Sequence, residues 1–124
     1  MTVVREADRL AFELPGIQFS VYASPSLGSA GLCAWKLTVE GNFASPESHV
    51  IDTDELFMVL SGSVSVTPDG EVLKAGDAAI VSAGEPISVV NHGVEPAQLH
   101  VAIRSGFTVK GEDGSTIPTP PWAV

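Results

Sequence analysis

Cysteine is nearly absent: Cys33 stands alone in 124 residues, which excludes an internal disulfide and a cysteine-rich zinc site. With no disulfide to maintain, the expected setting is the reducing cytoplasm. Basic residues are scarce as well, six Lys and Arg against fifteen Asp and Glu, for a net charge of -9. Nucleic acid and anionic membrane both need a basic surface to be held through charge, so neither is an expected partner. Long apolar runs are missing too. Nothing approaches the roughly 18 consecutive apolar residues that span a bilayer. Near the N-terminus, Arg5, Glu6, Asp8 and Arg9 stand where a secretory leader needs an apolar core. Nor does any stretch hold a helical hydrophobic period over about ten residues or more.

What is present is short alternation broken often by turns. Twelve Gly and nine Pro punctuate a chain that is 44% hydrophobic and only 17% charged. Ile17 to Tyr22 alternates apolar and polar as a half-buried strand does, and Leu32 to Glu40 does so again with Trp35, Leu37 and Val39 on one face. Ser63 to Thr67 reads as a strand, Pro68-Asp69-Gly70 as a hairpin turn, Ala78 to Val81 as a short buried run, and Ile87 to Asn91 and Ala97 to Ile103 as further strands. Many short strands at regular spacing, with turn signals between them, predict a single all-β domain of the barrel or jelly-roll kind. The opening residues read as a short strand or loose arm. The last twenty, which include Pro118-Thr119-Pro120-Pro121-Trp122, read as an extended tail packed on the barrel or on a neighbouring subunit.

The chemistry concentrates between His49 and Gly62. His49 and Glu55 are six residues apart, an even number, so a continuous strand puts both on one face together with Ile51. Asp52 and Asp54 have the wrong parity and should face away. A polar pair facing a sheet interior needs a metal, a ligand or a hydrogen-bonding partner.

From Gly41 to about Ile103 the sequence resembles a small cupin of the RmlC-like kind. The likeness rests on Glu55-Leu56-Phe57-Met58-Val59-Leu60-Ser61-Gly62, which has the spacing of the first cupin motif, and on Gly76, Gly84 and Asn91, which sit at the spacings of the second. Leu73-Lys74-Ala75-Gly76-Asp77 is the usual approach to that second motif. The resemblance implies a cupin-type double-stranded β-helix over residues 1–124, with a barrel core at about 32–103, N-terminal strands in 1–31 and a tail in 104–124. In metal-dependent cupins, two histidines and a glutamate of the first motif and a histidine of the second hold a transition metal. Here His49 and Glu55 occupy the first and third positions, while Ile51 and Ile87 occupy the second and fourth. Isoleucine offers no lone pair, so the expectation is a degenerate site with no metal cofactor. A divalent transition metal held by His49, Glu55 and His100 is the alternative, with His92 read as a turn histidine.

In such a barrel Glu55 shares its inward face with Ile51, Phe57 and Val59, and Ile87, Val89 and Asn91 look into the same space from another strand. The expected product is an apolar small-molecule pocket in which His49 and Glu55 bind or act as acid and base, for instance in an isomerisation, epimerisation or dehydration. Three functions remain open: a small-molecule-binding cupin with or without metal-free catalysis, a metal-dependent dioxygenase or isomerase with an atypical ligand set, and a metabolite-sensing accessory protein. Leu56, Met58 and Leu60 make the outer face of the central strand apolar as well. This predicts a homodimer, with Trp35 and Trp122 as interface aromatics, or cover from the chain's own terminal segments.

Overall fold

The computed structural model describes all residues, 1–124, and contains no α-helix. The chain forms β1 (Leu10–Leu14), β2 (Ile17–Ala23), β3 (Leu32–Val39), β4 (His49–Ile51), β5 (Glu55–Ser61), β6 (Ser63–Val64), β7 (Leu73–Lys74), β8 (Ala78–Val81), β9 (Pro86–Ile87), β10 (Ala97–Arg104), β11 (Val109–Gly111) and β12 (Thr116–Ile117). Short 3-10 turns lie at Glu6–Asp8, Pro25–Leu27 and Pro121–Ala123. No helix is long and apolar enough to cross a membrane.

Six strands join in the order β1-β2-β3-β10-β5-β8, and four more in the order β12-β11-β4-β9; β6 and β7 make a separate ribbon. All pairings are antiparallel. The crossovers place β10, late in the chain, between β3 and β5. This is the jelly-roll arrangement, two sheets enclosing one interior.

The alternation visible in the sequence sets which side chains go inside. Cys33, Trp35, Leu37 and Val39 of β3 are buried, as are Ala97, Leu99, Val101 and Ile103 of β10 and Glu55, Phe57 and Val59 of β5. Gly62 ends β5 at φ +78°, and a Cβ there would lie 2.8 Å from Ala97. The turn needs both the left-handed backbone and the missing side chain. Gly41 is constrained by space alone, since its Cβ would fall 2.1 Å from the Val94 carbonyl oxygen.

Several expectations are corrected. Regular strand after Gly62 covers only Ser63–Val64, and Ile87 to Asn91 is regular only at its start. Beyond them the chain holds on through isolated bridges of Val90 to Ala44 and Ser65. The segment after Arg104 is more than a tail: β11 pairs with β4 and supplies an inner strand of the four-stranded sheet. Trp35 is no interface residue but a buried core side chain, because its strand parity turns it inward. Trp122 stacks on Phe19, with ring centroids 3.7 Å apart and planes 9° from parallel, so the chain's own end covers that ring.

Candidate functional site

The two sheets leave between them a cavity of about 730 Å³. Its walls come from β2, β3, β4, β5, β9, β10 and β11. The turn at Leu14-Pro15, the loop Phe43–Ser48 and the segment Ile117–Trp122 complete them. Ile51, Phe57, Ile87 and Val89 line it together with His49 and Glu55.

His49 and Glu55 do not share a strand. The chain bends at Asp52 and Thr53, so His49 sits on β4 in the four-stranded sheet and Glu55 on β5 in the six-stranded one. Both line one cavity because the inner faces of the two sheets look into one space, not because their separation is even. The bend is held by the two aspartates. Asp52 Oδ1 accepts from the Thr108 N–H at 2.8 Å, and Asp54 Oδ1 accepts from the Ala83 N–H at 3.1 Å. Both are thereby committed outside the cavity.

Glu55 is only 5% exposed, and its Oε2 has no hydrogen-bond partner. No ion pair joins it to His49. Removal from water penalises the carboxylate, and the acidity of Glu55 is displaced from 4.5 up to about 7. The same burial acts in the opposite direction on His49, lowering its pKa and favouring the neutral imidazole. Near neutrality, then, Glu55 is poised between acid and base in a cavity that also holds an uncharged imidazole. An orphaned carboxyl oxygen at this depth is costly unless something in the cavity meets it.

Four other residues weighed in the sequence go elsewhere. Asn91 is buried but spends its amide on the backbone. Its Nδ2 donates to the carbonyls of Val39, Glu40 and Glu95, and its Oδ1 accepts from the Gly93 N–H. It clamps the turn before β10 and does not reach the cavity. Val59 faces inward as its parity requires, yet it is packed into the core away from the cavity wall. His100 points to the outer face of the six-stranded sheet, where its Nε2 lies 3.1 Å from the Tyr22 hydroxyl. Each inward residue of β10 is odd-numbered, which is what turns His100 out. His92 is exposed in a turn, 3.3 Å from Ser65 Oγ.

These placements decide how the residues suit a metal. No group of three or more His, Cys, Asp and Glu side chains comes together that could hold an ion. A transition metal needs about three or four protein donors, and His49 with Glu55 supplies two; the other two positions are Ile51 and Ile87, which cannot ligate. The residues do not fit the metal centre that the resemblance implies.

The sequence predicts a tail packed on the barrel or on a neighbouring subunit, but not that it and the β1–β2 turn line the cavity. Trp122, Pro118 and Pro120 line the mouth, and so do Leu14 and Pro15. The only local signal was an aromatic residue amid prolines, which says nothing of where the segment docks.

A search of curated protein sequences finds no match. Among solved structures, the chain is similar to the polyketide cyclase RemF from Streptomyces resistomycificus (TM-score 0.71, 20% identity, 86% of this chain and 83% of that one). It is also similar to an acetylacetone dioxygenase from Acinetobacter johnsonii (TM-score 0.72, 13% identity, 98% and 85%). An RmlC-like cupin from Ralstonia eutropha aligns with a TM-score of 0.74 at 11% identity, over 96% and 78%. At these identities the likeness is one of fold. The family model for the cupin domain matches residues 35–103, more than half of the chain. With the two-sheet jelly roll and the motif spacing around Glu55 and Gly62, that match makes this chain a member of the cupin family.

Proposed function

We propose that this cupin binds a small apolar molecule and transfers protons on it without a metal, with Glu55 as the acid/base group and His49 as its neutral partner. The observation that carries this reading is the unpartnered carboxyl oxygen of Glu55, buried at the wall of an apolar cavity. A group ionising near pH 7 is matched to take a proton and give it back at neutral pH. On a carbonyl compound, the Glu55 carboxylate would remove a proton from the carbon next to the carbonyl. The C–H electron pair moves into an enolate, and the carboxylic acid so formed returns the proton at another atom. His49 would donate its N–H to the enolate oxygen. Isomerisation, cyclisation and dehydration share this step. Similar folds include a polyketide cyclase and a sugar phosphate isomerase by description, which agrees with such a use of the barrel.

Deuterium exchange into the carbon next to the carbonyl of tetralone, followed in heavy water with EDTA present, tests the reading. Exchange by the native protein that is lost in Glu55→Gln supports it. Exchange that EDTA abolishes, or that Glu55→Gln leaves intact, overturns it. Stoichiometric metal in protein purified without chelators, lost on His49→Ala, would count against it equally.

The same proposal includes a homodimer. Leu32, Leu60 and Ile80 are 49%, 43% and 68% exposed on the outer face of the six-stranded sheet, beside half-buried Leu56 and Met58. A second copy would cover this surface.

A further inference from the structure

Aromatic side chains are few in this protein and most of them converge. Of five Phe, two Trp and one Tyr, the cavity takes Phe19, Phe43, Phe57, Phe107, Trp35 and Trp122. They arrive from separate parts of the chain, including the loop before β4, the turn before β11 and the final 3-10 turn. A core needs apolar volume, which Leu, Ile and Val supply equally well. Rings gathered around an open space of about 730 Å³ instead put polarizable aromatic surface against an occupant, although Phe19 and Trp122 spend one face on each other.

Charge is as informative as shape. No Lys or Arg lines the cavity; its titratable residues are His49, Glu55 and Glu47, the last exposed near the mouth. The polar lining is largely committed. Ser45 Oγ accepts from the Val89 N–H at 3.0 Å, and Ser48 Oγ donates to Glu112 Oε1 at 3.1 Å. Glu55 Oε2 remains free. A carboxylate or phosphate entering here would shed its water with no cation to meet it and would face two acidic side chains.

Resting on the reading of this cavity as a small-molecule site, we infer that its ligand is an uncharged, planar aromatic compound with a hydroxyl or carbonyl oxygen for Glu55 and His49, and that phosphorylated sugars and aromatic carboxylates are excluded. The rings grip the flat body of the ligand and its single oxygen sets its orientation. Selection against anions follows from the missing cation. This is discrimination by what the wall lacks.

The test compares four probes by isothermal titration calorimetry on the intact protein at neutral pH: β-naphthol, its fully hydrogenated analogue decahydronaphthol, the hydroxynaphthoate with the same two rings, and a hexose phosphate. The expected result is saturable binding of β-naphthol, at least about tenfold weaker binding of decahydronaphthol and of the naphthoate, and none of the hexose phosphate. Trp122→Leu should weaken β-naphthol more than decahydronaphthol, while Trp122→Phe preserves the difference. Binding of either anion as tightly as β-naphthol would overturn the inference yet leave a small-molecule site in place. Equal binding of the flat and saturated probes would also overturn it. If no probe binds at all, the inference fails together with the small-molecule reading beneath it.

Discussion

Trp122 lies flat on Phe19 across nearly the whole length of the chain, centroid to centroid at 3.7 Å. The contact docks the final turn on β2, and the next residue, Ala123, covers the only thiol: its carbonyl oxygen sits 3.6 Å from Cys33 Sγ. Aromatic stacking adds to the area buried, so Trp122→Ala is expected to cost about 2 kcal/mol of stability. It should also open Cys33, fully buried in the native chain, to thiol reagents. Urea unfolding gives the first effect, and the rate of labelling in native buffer the second. Labelling as slow as in the native protein would show that the final turn stays docked without its ring.

The buried carboxyl makes stability depend on pH. The folded chain binds the Glu55 proton more tightly than the unfolded chain, with values of about 7 against 4.5. The stabilisation is complete below about pH 4.5, declines as pH rises and is lost above about pH 7. The loss amounts to ~3 kcal/mol across that window. Glu55→Gln should remove the decline and make the variant more stable than the native protein at alkaline pH. Urea midpoints from about pH 4 to about pH 9 read this directly, and a flat native profile would contradict it.

His49 has the opposite sign. Its folded value is lowered by burial from 6.5, so its contribution is full above that pH and lost as pH falls through the folded value. In the native protein this opposes the Glu55 slope on the acid side. His49→Gln should therefore steepen the remaining decline between pH 4.5 and 6.5. A profile unchanged by the substitution would mean that His49 is not desolvated.

Asn91 is expected to behave as a structural clamp. Replacing it with Ala removes its donations to the carbonyls of Val39, Glu40 and Glu95 and the acceptor of the Gly93 N–H, while Glu40 keeps the Phe43 N–H, at a cost of about 3 kcal/mol. Affinity for a cavity probe should not change once the variant is folded. If affinity falls while the urea midpoint holds, Asn91 belongs to the binding site after all.

Self-association has its own readout. Ile80→Lys places a charge at the most exposed apolar position of the outer face, 68% accessible, and should convert a dimer to monomer in sedimentation equilibrium. A native protein that sediments as a monomer disposes of the dimer outright.

Much of this architecture is local information. Alternation in β3, β5 and β10 is a property of neighbouring residues, since successive side chains on a strand point to opposite faces. It is enough to send Trp35, Glu55 and Phe57 inward and Met58 outward. That Ile51 and Ile87 stand where a metal-dependent cupin has ligands comes from the resemblance to the cupin motifs, and their residue types are read directly off the sequence. What alternation cannot carry is a relation between strands. The bend at Asp52 separates His49 and Glu55 onto facing sheets, and an even spacing only coincides with that outcome. Long-range pairing decided three things: that β11 joins β4, that Asn91 turns to the backbone, and that Trp122 comes to rest on Phe19. Each depends on segments distant in sequence meeting in space, and no local period records which will meet.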